Sequence, residues 1–448
     1  MINIKKEILL VPEPEGTDDT GRIQAAVDSC RETGGRVVFA PGKYYTGTIH
    51  LCSNLMIEFT EGSEIIGSDD LAKYTVHEYS HQSKQNYWQS LFFARDAVHV
   101  VLKGKGRISG QGDHFPYGLE AYSVDDQDMA PVREYKVRPS LLYLKGCTDV
   151  KVEQLELRDA AQFAVLTEEC TKVEFRDVSV INRKNQNTDG FHFSMIRDIM
   201  VENCRLDCGD DAVVLNRSAA GVRIRNCDIS SRWAGIRIGP FSDGEFTRIE
   251  VCGCHIHHTY GCAVKIQVGE GGYAHDLYFH DLVMDEVTGP VQIRLCHFPG
   301  WETKKETNIS PGRIDRITFE RIRARVIAEG KPKPHEVPVF DGERYSCVQV
   351  QGLDEYKIGR LTCRDWDIQY EGGYEDTAYS LHLTENADYR YPEYFIFGIM
   401  PCYAMYAAHV EKLVLSGLHF SCEKRDVRVP FVFHDIAGIE MTGMQTEQ

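Results

Sequence analysis

Two short motifs concentrate carboxylates, Asn187-Thr188-Asp189-Gly190 and Gly209-Asp210-Asp211. Asp189 precedes the Asp-Asp pair by 21 and 22 residues. Grouped carboxylates repel one another and split their proton affinities, so one stays protonated while another is ionised. Glycoside hydrolysis needs both states: an acid for the leaving oxygen, and a base or nucleophile at the anomeric carbon. Either motif alone also suits a turn, because Asn, Asp and Gly favour turn conformations. Two of them about one repeat apart point to a catalytic cluster of Asp189, Asp210 and Asp211.

Cations recur further along the chain. Arg237, Lys265 and Arg294 fall 15, 16 and 17 residues into successive repeats, which predicts a cationic strip beside the carboxylates. Such a strip binds a carboxylate-bearing sugar, Arg by bidentate pairing and Lys as a point charge. Scattered surface charge is the plainer reading of the same residues. Trp233, Tyr260 and Tyr273 have the chemistry to stack on sugar faces, and equally to pack in a core.

A repeat must position these groups. Short phrases such as CTDVKVEQLEL, CTKVEFRDVSV and AAGVRIRNCDI alternate apolar and polar residues, as half-buried strands do. Their first inward apolar residues are Val150, Val173, Ile199, Val222, Ile249 and Leu277, at spacings of 23, 26, 23, 27 and 28 residues. Similar phrases return at Ile317, Leu361 and Leu413. A period of 20–30 residues built from short strands predicts an all-β parallel β-helix, each coil burying its apolar face against the next. The whole of 1–448 then reads as one solenoid domain. Residues 1–45 form its N-terminal cap region, 140–300 its most regular catalytic coils, and 301–448 its C-terminal coils with long loops. Insertions around 113–137, 296–312 and 328–357 read as loops over the cleft.

The segment GRIQAAVDSCRETGG predicts an amphipathic capping helix with Ile23, Ala26, Val27 and Cys30 on one face. Asp18 or Asp19 is its candidate N-cap, and Gly34-Gly35 its end. Cys147, Cys170, Cys204 and Cys227 recur near the start or middle of coils and read as small buried residues. His255, His257 and His258 are close in sequence, but strand alternation argues against a metal site, and no cofactor is expected.

Composition narrows the function. The 50 Lys+Arg against 67 Asp+Glu give a net charge of −17, which excludes a nucleic-acid partner reliant on a basic stripe. That charge also weighs against a long polyanion, though not against short anions at a local cationic strip. No run of about 18 apolar residues is present to span a bilayer. The start, MINIKKEILLVPEPEG, lacks the 7–15 apolar residues of a secretory leader, and the 15 scattered cysteines suit a reducing compartment, so a cytoplasmic location is expected.

Taken together, GTDDTGRIQAAVDSC, GGRVVFAPGKYYTGTIHLCSNLMIEF, GKGRISGQG, RPSLLYLKGCTDV, NTDG, CGDDAVVL and the later YPEYFIFGIMPCYAMYAAHVEKL resemble glycoside hydrolase family 28, the polygalacturonase family. The resemblance covers nearly the whole chain. It implies a single right-handed parallel β-helix and inverting hydrolysis of α-glycosidic bonds in pectin, without a metal. It further implies Asp210 as general acid, with Asp189 and Asp211 activating the attacking water. Three positions depart from the family pattern. Trp233-Ala234-Gly235 stands where the family has Gly-His-Gly, Ala263-Val264-Lys265 where it has Arg-Ile-Lys, and His192 where an acidic residue is frequent. Asn187, His192, Trp233, Arg237, Lys265 and Arg294 are the candidate substrate-binding residues.

The leading expectation is an exo-acting hydrolase of short, plant-derived, uronate-containing oligosaccharides. A hydrolase of a neutral α-linked sugar such as galactose or rhamnose is the alternative. A β-helix polysaccharide lyase using calcium and a catalytically silent carbohydrate-binding protein are the remaining readings.

Overall fold

The computed structural model describes residues 4–78, 87–116, 138–298, 310–376 and 391–448. The expected loops fall partly outside these, at 117–137 and 299–309. The chain divides into two compact units at the bond between Asp210 and Asp211. The described residues of the first unit are 4–78, 87–116 and 138–210; those of the second are 211–298, 310–376 and 391–448.

Both units are stacks of parallel strands, and the apolar anchors read from the sequence set their register. In the first unit Val100 pairs with Val150, Val150 with Val173, and Val173 with Ile199. In the second, Val222 pairs with Ile249, then Leu277, Ile317, Leu361 and Leu413 in turn. All of these anchors are buried. A slip of one residue would turn each coil's apolar set outward, so the alternation itself fixes the register.

Two corners shape each coil. The residue before the anchor adopts positive φ in Asp149, Lys172 and Asp198 of the first unit, and in Gly221, Arg248, Asp276 and Arg316 of the second. The fourth residue after the anchor does the same in Gln154, Asp177 and Asn203, and in Asn226, Gly253, Asp281, Arg321, Asp365 and Gly417. Asn, Asp and Gly dominate the second corner because they enter the left-handed region at least cost. Cys204, Cys227 and Cys254 directly follow such a corner and are buried, as the reading of small packed residues expects.

The only α-helix among the described residues runs Thr20–Asp28. Its Ile23, Ala26 and Val27, with Cys30 just beyond, are buried as the sequence predicts. Gln24 fastens it by donating to the His50 carbonyl and accepting from the His50 amide, at 3.1 and 2.8 Å. Asp19 is the N-cap residue, but its carboxylate pairs with Arg22 and the Tyr45 amide instead of the helix amides. Asp18 accepts from the Thr20 amide at 2.9 Å. The helix stops at Asp28, six residues before Gly34, because Arg31 and Gly34 donate to Asp28 and Cys30 in separate turns.

Substituting the corner residue Asn203 tests this account. Asn203→Val is expected to cost about 1–3 kcal/mol, the penalty of a β-branched residue at positive φ. Asn203→Gly should stay within about 0.5 kcal/mol of wild type, since glycine takes that conformation freely. Urea unfolding midpoints of the two variants give the comparison; equal losses would contradict it.

Candidate active site

In the first unit, the NTDG segment sits in the connection between strands Ser179–Asn182 and Phe191–Glu202. Asn187 itself adopts positive φ at 53°, a conformation Asn tolerates well. Arg138, buried, ties the segment down by donating to the Gln186 and Ala161 carbonyls and to Asn187 Oδ1. Thr188 Oγ1 donates to the Asn185 carbonyl at 2.8 Å. Asn182 Nδ2 donates to the Asp189 carbonyl at 3.0 Å, fixing the backbone beneath the carboxylate.

The second motif packs against the first. A Cβ on Gly209 would lie 2.5 Å from Thr188 Oγ1, so only glycine lets the two segments approach this closely. The Asp210 amide donates to the Thr188 carbonyl at 3.4 Å, and Asn187 Nδ2 donates to Asp210 Oδ2 at 3.4 Å. Asp189 and Asp210 are thus brought onto neighbouring rungs, Asp189 buried and Asp210 half-buried. His192 Nδ1 meets Asp189 Oδ2 at 2.8 Å. Its ring stacks on Phe163 at 4.1 Å, and Phe163 in turn stacks on Trp88.

The second unit begins at Asp211, whose two oxygens both accept hydrogen bonds. Ala234 N donates to Oδ1 at 2.8 Å and Arg237 Nη1 to Oδ2 at 3.0 Å. Arg237 pairs in register with Lys265, and Lys265 with Gln292. Arg294 lies two residues further along that face, opposite Gln267, because the row in register falls 15, 16 and then 15 residues past the anchors Val222, Ile249 and Leu277, whereas Arg294 lies 17 past the last. The row through Lys265 therefore continues as Gln292 and Gln349, not as a third cation.

Glu393 is the residue that sequence reasoning missed. Its carboxylate takes Lys265 Nζ at 2.6 Å and Arg237 Nη1 at 3.1 Å, and both cations are buried. Burial would push the Glu393 carboxyl up, yet Lys265 and Arg237 hold it at about 2. Burial likewise opposes the charge of Arg237, but Tyr391, Glu393 and Asp211 keep its pKa well above the usual value. Neighbouring residues of the same segment cover the strip. The Pro392 carbonyl accepts from Gln267, the Tyr391 ring lies 5.0 Å from the Arg237 guanidinium, and Phe397 lies 4.4 Å from that of Arg294. Only the motif YPEYFIFG itself signals this contact, since Glu393 is 128 residues from Lys265.

Of the aromatic candidates, Trp233 and Tyr260 are enclosed and Tyr273 is half-buried. Trp233 packs with Val337, Phe340 and Phe395, with Arg232 and Lys265 at 4.5 and 5.5 Å from its ring. Arg232 is buried and paired with Glu343, also buried. Tyr260 is buried, and Tyr273 stacks on His275. Glu270 is a further carboxyl of acid character, pushed up to about 7 by burial. It lies five residues past Lys265, beyond the end of strand Cys262–Val268, and accepts from the Ser242 amide at 2.7 Å.

A family model for glycosyl hydrolases family 28 matches residues 67–352. The chain belongs to this family. An exopolygalacturonase of Cochliobolus carbonum is 26% identical over 52% of this chain and 51% of its own length. A probable polygalacturonase of Arabidopsis thaliana is 25% identical over 57% and 53%. The chain thus spans about half the length of these curated relatives. An exopolygalacturonase from Thermotoga maritima superimposes with a TM-score of 0.65 at 18% identity, over 82% of this chain and 88% of that one, and shares the parallel β-helix. Within the family 28 chain, two carboxylates, a histidine and an amide converge in one unit, and a carboxylate bound to a guanidinium opens the other.

Breaking the Glu393 contacts gives a measurable result. Glu393→Gln takes the carboxylate from buried Lys265 and leaves Arg237 to Asp211, and a loss of about 3–5 kcal/mol is expected. Because the folded pKa is depressed, the carboxylate stabilises the fold above the unfolded value near 4.5. That contribution fades as pH falls toward about 2. Urea midpoints followed from pH 5 to 2 should fall more steeply for wild type than for Glu393→Gln.

Proposed function

We propose that this protein is an inverting, exo-acting glycoside hydrolase that cleaves α-glycosidic bonds in short, uronate-containing pectic oligosaccharides. Family membership supports the reaction class, and the likeness to the Cochliobolus carbonum exopolygalacturonase supports pectic substrates and exo action. The observation that carries the reading is the packing of NTDG against Gly209-Asp210, which sets Asp189 and Asp210 on neighbouring rungs. Asp210, half-buried and approached by Asn187, donates its proton to the leaving oxygen. Asp189 accepts the proton of the attacking water, a role that the family resemblance also gives to Asp211. His192 and Arg237 orient these two carboxylates from behind. The net charge of −17 favours short substrates over a long polyuronate.

A second reading draws support from Glu393. Lys265 and Arg237 spend their charges on Glu393 and Asp211, and the row continues as Gln292 and Gln349. Cations paired in this way and buried beneath the segment of Glu393 have little charge left for a uronate, which favours an uncharged sugar. On this reading the substrate is a neutral α-linked sugar of a pectic oligosaccharide.

Defined oligosaccharides with galacturonate or neutral non-reducing ends, followed by chromatography and NMR, separate the two. Inverted products from the galacturonate-ended set support the first reading, and from the neutral-ended set the second. Retention of configuration, or an unsaturated ultraviolet-absorbing product, would overturn the mechanism. Asp210→Asn is expected to lower kcat by roughly 10²–10⁴-fold or more, with KM little changed.

A further inference from the structure

Away from the carboxylate motifs, three successive coils of the second unit carry a cluster of imidazoles and carboxylates. Asp228 pairs in register with His255, and His257 with Asp285. His255 and His257 are two residues apart on the strand His255–His257, so they share a face instead of alternating. Both direct a nitrogen at one carboxylate: His255 Nδ1 lies 3.3 Å from Asp228 Oδ2, and His257 Nε2 lies 3.2 Å from Asp228 Oδ1. Ligand atoms of Asp228, His255 and His257 all fall within 4.8 Å of one another.

Those two separations are long for a charge-assisted hydrogen bond, which closes to about 2.7–2.9 Å. Several carboxylate-bound histidines of this chain behave that way, His192, His409 and His419 holding their partners at 2.8, 2.9 and 2.9 Å, while His280 and His258 stand 3.4 and 3.3 Å from Glu250 and Glu286. Metal ligands are spaced differently. Two bonds of about 2.0–2.1 Å at the tetrahedral angle put their ligand atoms roughly 3.3–3.4 Å apart. The far nitrogens are also held as metal-bound histidines require. His255 Nε2 meets Asp285 Oδ2 at 2.9 Å, and His257 Nδ1 meets His258 Nδ1 at 2.8 Å. His258 is in turn braced by Glu286 at 3.3 Å.

We propose that Asp228, His255 and His257 form a binding site for a zinc-class divalent transition metal, with Asp285 and His258 orienting the two imidazoles. Two imidazoles and one carboxylate suit zinc, cobalt or nickel better than calcium or magnesium, which take oxygen ligands. Three protein ligands leave a fourth position for water. The partly exposed side chains give the ion a path in from solvent. Because the ligands come from adjacent coils, the bound ion clamps one coil to the next, and none of them is a residue assigned to the proposed hydrolysis.

Titration of the metal-stripped full chain with Co²⁺, read by its visible absorption, tests this directly. One Co²⁺ per chain with tetrahedral bands, displaced by one Zn²⁺, is expected, and Zn²⁺ should raise the melting temperature. His255→Ala and, independently, the milder His257→Gln should weaken binding at least tenfold while keeping the wild-type circular dichroism spectrum. Cys252→Ser, in the neighbouring grouping of Glu250, Cys252 and His280, should bind as wild type does. The proposal is overturned by absence of stoichiometric binding, by unchanged binding in both folded histidine variants, or by loss of binding in Cys252→Ser.

Discussion

The register of parallel stacking governs everything else in this molecule. A residue in one coil has its counterpart about 4.8 Å away in the next, so side chains at equivalent positions become neighbours whatever their charge. Apolar columns gain from this, and the pairing of Leu277, Ile317, Leu361 and Leu413 is the result. Charged columns gain only if signs alternate or if a partner arrives from elsewhere. Where neither holds, repulsion is stored, and a cluster of carboxylates is then a site with split proton affinities.

The second unit solves the problem with a buried chain of alternating charge. Asp211, Arg237, Glu393 and Lys265 follow one another through contacts of 3.0, 3.1 and 2.6 Å. Two cations stacked in register would repel at close range without Glu393. Its carboxylate lies between them and stays ionised because the two positive fields outweigh the cost of burial. Arg237 is therefore shared, one hydrogen-bonding nitrogen serving both Asp211 and Glu393, so the position of a candidate catalytic carboxylate depends on a segment remote in sequence. The same unit repeats the device with Arg232 and Glu343, both fully enclosed.

Much of this was legible in the sequence because it is periodic. The anchors Val150 to Leu413 predict the observed ladders within each unit, since alternation over a short strand leaves one register that buries the apolar set. The recurring Cys204 and Cys227 were visible too, though the left-handed corners at Asn203 and Asn226 just before them appear only in the backbone φ. What escaped is aperiodic. Glu393 belongs to a covering segment, with no repeat to tie it to Lys265. The offset of Arg294 from Lys265 follows from turns of unequal length, which a count from the anchor cannot register. Strand alternation was applied to three neighbouring histidines as a group, whereas His255 and His257 sit two apart and face the same way.

Function in such a fold is then a question of which columns are satisfied from within. A column whose charges are all paired by the chain itself, as Lys265 is by Glu393, has little left for a charged ligand. One in which donor and acceptor are held at long hydrogen-bond separations, as at His255, His257 and Asp228, has the spacing that ligands of a shared ion adopt. Asp189 and Asp210 belong to a third kind. Their backbones are held by Asn182 and Thr188, while a histidine meets the carboxylate of one and an amide that of the other. Imidazole and amide partners orient a carboxyl, and proton transfer to a glycosidic oxygen requires such orientation. The same stacking rule that brings carboxylates together thus also decides which neighbour orients each of them.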